Sequence, residues 1–155
     1  MSSIPPIKHF TVSIFIMSDT QPTKTLLLHH RKLDKWMPAG GHCEEGENPY
    51  QTVIREAAEE TGLDITPYLK PPEPIDKRVH LLPLPTYHTE QKIAAHGNQP
   101  EHYHIDYSYV VRVPEQAVRH HPGETHGIGW FTLDQLADLP MFDNVRHLLK
   151  LELSK

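Results

Sequence analysis

Cysteine occurs once in this chain of 155 residues, at Cys43. A lone thiol excludes an internal disulfide and a four-cysteine zinc module, and it fits a reducing compartment. Long apolar runs are also missing. The longest mostly apolar stretch near the start, residues 10–17, is interrupted by Thr11 and Ser13 and falls far short of the ~20 residues a membrane helix needs. Residues 1–9 lack the basic region and cleavage signal of a secretory leader, so the expected location is the cytosol, with no membrane partner. Excess positive charge is absent as well: 15 Lys and Arg stand against 20 Asp and Glu, for a formal charge of −5. Proteins that grip a nucleic-acid backbone are usually basic, so no nucleic-acid polymer is expected as a partner. There is no internal repeat and no run of six histidines.

What is present fits an ordinary globule, with 37% hydrophobic and 23% charged residues. The length suits one domain over residues 1–155, because splitting it would leave two marginal cores. A monomer and a homodimer fit this composition equally well. Thirteen histidines are unusual; charging them all in acid would reverse the sign of the net charge.

Phe10, Val12, Ile14 and Ile16 alternate with polar residues, which predicts a strand, and residues 25–30 predict a second. Residues 32–35 read as a turn. Pro38, Gly40 and Gly41 then forbid a regular helix. The clearest element is a helix over residues 49–61. Asn48 is its N-cap, Pro49 its first helical residue, Gln51 completes a capping box, and Gly62 stops it. Val53, Ala57 and Ala58 give it a narrow apolar strip that calls for a close neighbour. Four prolines within residues 67–74 predict a stiff connection. Residues 78–84 read as a strand, and residues 86–101, with no convincing period, as a binding loop or lid. Residues 102–113 read as a strand with divided faces: Tyr103, Tyr107 and Tyr109 with Ile105, Val111 and Val113 on the core side, and His102, His104, Asp106 and Ser108 on the other. A short strand over 128–131, a capped helix over 132–139 and an amphipathic helix over 140–153 complete the chain.

On the helix, Glu56, Glu59 and Glu60 stand at i, i+3 and i+4, which puts three carboxylates on one face. Crowded like charges raise one another's pKa. A hard divalent cation relieves that conflict, because Mg²⁺ favours carboxylate oxygens and retained waters. Arg55 is placed to pair with Glu47 or Glu59. An exposed acidic face on an ordinary helix is the simpler reading of the three acids taken alone.

The surrounding residues change that. From Gly41 the chain reads HCEEG, Glu47, NPYQTVI, then Arg55-Glu56-Ala57-Ala58-Glu59-Glu60-Thr61-Gly62-Leu63. This resembles the signature of the Nudix (MutT-like) hydrolases, G-x5-E-x7-R-E-U-x-E-E-x-G-U with U aliphatic. Every fixed position is matched, with Ala57 smaller than the usual aliphatic residue. The approach Trp36-Met37-Pro38-Ala39-Gly40 is also similar to the family's. The resemblance implies an α/β/α sandwich with a mixed sheet and a loop–helix–loop box. It further implies Mg²⁺- or Mn²⁺-dependent cleavage of a small-molecule diphosphate, with a nucleoside di- or triphosphate or a nucleotide sugar as the expected substrate. Carried over by position, Glu56, Glu59, Glu60 and the Gly40 carbonyl would hold metal. Arg55 would lock Glu47 and the loop. The base that activates water would be Glu56 or, from a later loop, Glu124.

Further candidates lie outside the box. His102, His104 and Asp106 line a substrate pocket or lie on a solvated strand face; a transition-metal group has less support than either, since alternation along a strand spreads side chains and no third histidine is called for. Arg31 could meet substrate phosphate, and Trp36 either contacts substrate or packs the loop. Cys43 lies among Glu44, Glu45 and Glu47, which disfavours its thiolate and excludes it as a nucleophile. That also argues against the family's isoprenoid isomerase branch. The markers that accompany particular substrates in the family do not match: sixteen residues beyond Leu63 stands Val79, neither proline nor tyrosine, and the NADH array is absent. The alternative to an enzyme is a catalytically silent Nudix-fold module that binds a nucleotide; such modules usually lose box carboxylates, and this chain keeps them all.

Overall fold

The computed structural model describes residues 3–155. The alternating apolar segment forms β1 (Lys8–Ser18), which runs parallel to β6 (His102–Val113) along its whole length, from Lys8 opposite Tyr103 to Ser18 opposite Val113. The other edge of β1 is shared. β4 (Ala39–His42) pairs antiparallel with Thr11 to Ile14, and β2 (Thr25–His30) joins at Met17 opposite Thr25. β2 also pairs with β3 (Lys35–Met37) and with β7 (Thr125–Phe131), and β5 (Tyr87–Ile93) closes the far edge against β6. The result is a mixed sheet of seven strands.

The period of two in β1 divides the core. Val12, Ile14 and Ile16 face α1 (Pro49–Thr61), whose Val53 and Ala57 are fully buried among them and among Tyr109, Val111 and Val113 of β6. Phe15 and Met17 face the opposite way, onto Val145 and Leu149 of α2 (Asp143–Leu153). One helix layer on each face is the sandwich expected from the sequence. The small side chain at position 57 lets α1 lie close on the sheet. Both capping-box bonds form at 2.9 Å between Asn48 and Gln51, and Gly62 ends the helix at φ 76°, a left-handed conformation that favours glycine. No helix among the described residues is long and apolar enough to cross a membrane.

Two expectations are overturned. Residues 78–84 are not a strand, because Pro83 and Pro85 lack the N–H groups a ladder needs; the backbone instead turns on Asp76, whose Oδ1 accepts from the N–H groups of Arg78 and Val79 at 2.7 and 2.8 Å. The segment read as an irregular lid contains β5, paired in register from Tyr87 opposite Ser108 to Ile93 opposite His102. β5 is an edge strand with mostly exposed side chains on both faces, so it shows no apolar alternation. Smaller corrections follow. Tyr109 is core, whereas Tyr103 and Tyr107 are only half-buried, under Lys8 and beside His88 respectively. The turn after β7 is 3₁₀, Asp134–Asp138, rather than α-helical, although Gln135 does accept the Thr132 N–H at 2.8 Å. α2 begins three residues later than expected, at Asp143.

Candidate active site

β4 brings the glycines of the box against the carboxylates of α1. The Gly40 N–H donates to Glu60 Oε1 at 2.8 Å. A Cβ at Gly41 would stand 2.5 Å from Glu56 Oε1 and 2.8 Å from its Cδ, so only glycine leaves Glu56 its place. Burial raises the pKa of both Glu56 and Glu60. For Glu60 the Gly40 N–H opposes that rise, while the neighbouring charge of Glu56 adds to it.

Arg55 ties the loop to the helix. Its Nε donates to Glu47 Oε2 at 2.8 Å and its Nη2 to Glu47 Oε1 at 2.9 Å, a two-pronged pair of the strong kind. Nη1 reaches Glu56 Oε1 at 2.9 Å and Glu59 Oε2 at 3.2 Å, and Nη2 also donates to the His42 carbonyl at 3.3 Å. Arg55 therefore takes both of the partners the sequence offered as alternatives. Its guanidinium holds the Glu47 carboxyl down at about 2. Glu47 is spent on structure: besides Arg55, it accepts from the Glu44 N–H and the Thr52 hydroxyl, each at 3.0 Å. Three carboxylates remain to face a ligand. Glu59 is largely exposed and Glu56 is largely buried. This all-oxygen set, with two members pushed toward protonation by burial, fits a hard divalent cation.

Glu124 projects from the turn before β7. The backbone there is pinned, with the Glu124 carbonyl accepting the Arg31 N–H at 2.9 Å and the Arg31 Nη2 donating to the Pro122 carbonyl at 2.8 Å. The Glu124 side chain is exposed, yet close enough for its charge to raise the pKa of Glu60 and to oppose the burial-driven lowering at His30. Arg31 thus braces the loop that carries Glu124. Trp36 is packed, stacked on His29 with ring centroids 4.9 Å apart and edge-on to Phe131 at 5.0 Å.

The polar side of β6 is assembled differently from the sequence expectation. The Nε2 atoms of His102 and His104 lie 3.1 Å apart, not widely spread. Asp106 is absorbed by hydroxyls: Oδ1 accepts from Thr11 at 2.7 Å and from Ser13 at 3.1 Å, and Oδ2 from Ser108 at 2.6 Å. Two histidines that the sequence left without a role, His9 on β1 and His42 on β4, join the group, with His9 4.9 Å from His102 and His42 5.0 Å from His104 between ring centroids. Burial, and then the charges of the neighbouring histidines, lower the His104 pKa to about 4. The polar alternation of His9, Thr11 and Ser13 was visible in the sequence; the parallel pairing that sets it beside β6 was not.

A family model described as the NUDIX domain matches residues 7–151. Over 129 residues the chain is 30% identical to a probable DHNTP pyrophosphohydrolase of Lactococcus lactis subsp. cremoris, a match covering 83% of this chain and 58% of that relative's length. The solved structure of a NUDIX-family hydrolase from Clostridium perfringens is similar at a TM-score of 0.72 and 29% identity, over 94% of this chain and 96% of that one. The dihydroneopterin triphosphate pyrophosphohydrolase of E. coli, 17% identical, shares the fold at a TM-score of 0.69, over 96% and 98% of the two chains. Box, sandwich and family match coincide along nearly the whole chain, and the protein belongs to the NUDIX family.

Proposed function

We propose that the chain is a metal-dependent hydrolase that cleaves a diphosphate bond in a small triphosphate or a related nucleotide derivative. The observation that carries this reading is the placing of Glu56, Glu59 and Glu60 on one face of α1, with Gly40 pinning Glu60 and Arg55 bracing Glu56 and Glu59. Glu56, Glu59 and Glu60, with the Gly40 carbonyl, would hold Mg²⁺ or Mn²⁺. When bound, such a cation would offset the negative charge of the phosphates, polarise the phosphoryl oxygens and make water a better nucleophile. The chain's own residues do the rest. Arg55 is a positioning residue that fixes the carboxylates and the loop. Glu124, whose side chain is exposed, accepts the proton of the attacking water; Glu56 is the alternative acceptor but is already engaged by Arg55. The new P–O bond forms as the bond to the bridging oxygen breaks, and that oxygen leaves with the second phosphate. Positioning and charge carry the acceleration, without a covalent intermediate.

The likeness to a probable DHNTP pyrophosphohydrolase supports testing dihydroneopterin triphosphate first, beside nucleoside triphosphates and nucleotide sugars. In this reading Arg31 acts through the loop that carries Glu124, Trp36 packs the turn, and Asp106, on the opposite face of the sheet from the carboxylates, takes no part. A cytoplasmic location accords with such substrates. The test is a hydrolysis panel with Mg²⁺ and with Mn²⁺, run on wild type, Glu60→Gln and Glu124→Gln. Turnover that requires metal, disappears in Glu60→Gln and falls roughly 10²-fold or more in Glu124→Gln is expected. Saturable binding without product from wild type would instead establish a nucleotide-binding module.

A further inference from the structure

We infer that His9, His102 and His104 form a second metal site, for a borderline transition cation such as Zn²⁺, on the face of the sheet opposite the carboxylate helix. One ligand nitrogen from each residue lies within 4.8 Å of the other two. The site is built by the register of β1 and β6, which sets His9 directly opposite His104, with His102 two residues before it on the same face. His42, on β4 opposite Thr11, borders the group against both His9 and His104.

The donor chemistry favours an ion of the zinc type over Mg²⁺. Imidazole nitrogen suits Zn²⁺, Cu²⁺ and Ni²⁺, whereas Mg²⁺ takes oxygen. His102 is prepared for the role. It is 5% exposed, and its Nδ1 lies 3.0 Å from the Pro100 carbonyl. A carbonyl only accepts, so Nδ1 carries the proton and Nε2 turns its lone pair toward His104. A ring nitrogen held by a backbone carbonyl is the usual second partner of a metal-bound histidine. Asp106, two positions along β6 on the same face, supplies compensating negative charge without being a ligand itself.

Bonds of about 2.0–2.1 Å in a tetrahedral site put ligand nitrogens roughly 3.3 Å apart. The His102–His104 separation of 3.1 Å is already close to that. His9 is exposed and has only to swing inward. With His42, it also borders a cavity of about 370 Å³ beside the group. A bound ion would tie the beginning of β1 to the beginning of β6.

The experiment is a Zn²⁺ titration of the tag-free full chain against a chromophoric chelator, with Co²⁺ absorption as a readout of nitrogen ligation. Wild type should bind one equivalent at this site, and Glu59→Gln/Glu60→Gln should keep it within about twofold. Removing even an outer partner of a ligand costs 10–100-fold in affinity, so His9→Ala and His104→Ala should each weaken it by more than about tenfold. His88→Ala, on β5 and outside the cluster, should change nothing. His9 is exposed, so His9→Ala keeps the test valid should His104→Ala fail to fold. Failure of wild type to bind Zn²⁺, loss in the glutamate variant but not in His9→Ala, or equal weakening in all the histidine variants would each overturn the site. None of these results depends on whether the carboxylate helix is catalytic.

Discussion

The two faces of β4 make an instructive pair. Gly41 looks toward α1 and makes room for Glu56, while the next residue, His42, looks the other way into the histidine group. The carboxylate face is local: its acids, its arginine and its glycines all fall within residues 40–62, so one capped helix and one turn assemble it. The histidine face is non-local and exists only because β1 and β6 lie parallel in a particular register. The first is a set of hard oxygen donors that crowd negative charge; the second is a set of imidazole nitrogens. The lesson is that one strand can serve two donor sets with little chemical overlap, because alternation keeps their side chains on opposite sides of the sheet.

The strongest way to break the comparison is Glu60→Gln. It should lower Mg²⁺-dependent hydrolysis by roughly 10²-fold or more, because it removes the negative charge of a proposed cation ligand while its amide oxygen can still accept from the Gly40 N–H. An undiminished rate would remove Glu60 from the site. A smaller effect is expected from Gly41→Ala. The added methyl displaces the Glu56 carboxylate, and a shift of about 1 Å in a catalytic group can cost up to 10²-fold, so a loss of roughly tenfold is predicted. The melting temperature should hardly move, since the displaced atoms are the free end of a side chain. Activity unchanged in Gly41→Ala would show that Glu56 need not hold its observed position.

pH sharpens the contrast further. The raised pKa values of Glu56 and Glu60 mean that, without a cation, their contribution to stability is present below the ordinary carboxylate range and is lost as pH rises through the raised values. A divalent ion competes with those protons, so the rise in melting temperature caused by Mg²⁺ should be larger near about pH 8.5 than near about pH 5.5. Glu47 has the opposite sign. Its lowered pKa contributes stability above the ordinary carboxylate range, and that contribution disappears as pH falls toward about 2. A Mg²⁺ effect that shrinks with rising pH would contradict the shared burial of Glu56 and Glu60.

The smallest predicted effect lies outside both sites. Tyr87→Phe removes the 2.6 Å bond from the Tyr87 hydroxyl to the buried Glu152, which keeps Lys155 at 3.0 Å. A loss of about 1–2 kcal/mol in chemical denaturation is expected, with hydrolysis unchanged. A neutral result would show that Lys155 alone satisfies Glu152.

How much was legible in advance follows from how local each feature is. The helix from Pro49 to Thr61 and its caps could be read residue by residue, because an N-cap, a capping box and a glycine stop act over a few positions. The carboxylate face followed from helical periodicity alone. β5 has no apolar period to read because an edge strand is exposed on both faces, and residues 78–84 form no strand because Pro83 among them offers no N–H to a ladder. The side chains of His102 and His104 were expected to spread along their strand, but rotation about their side-chain bonds brings the two Nε2 atoms together.

By itself, then, the sequence determined the box: which residues form the helix and which acids share its face. The physical reason is that capping, helical spacing and charge crowding are short-range effects. Only the tertiary structure decided that Glu124 comes within electrostatic reach of Glu60 and that His9 meets His104. Those outcomes depend on strand order and register, which are set by the burial of two separate apolar faces, not by any run of neighbouring residues.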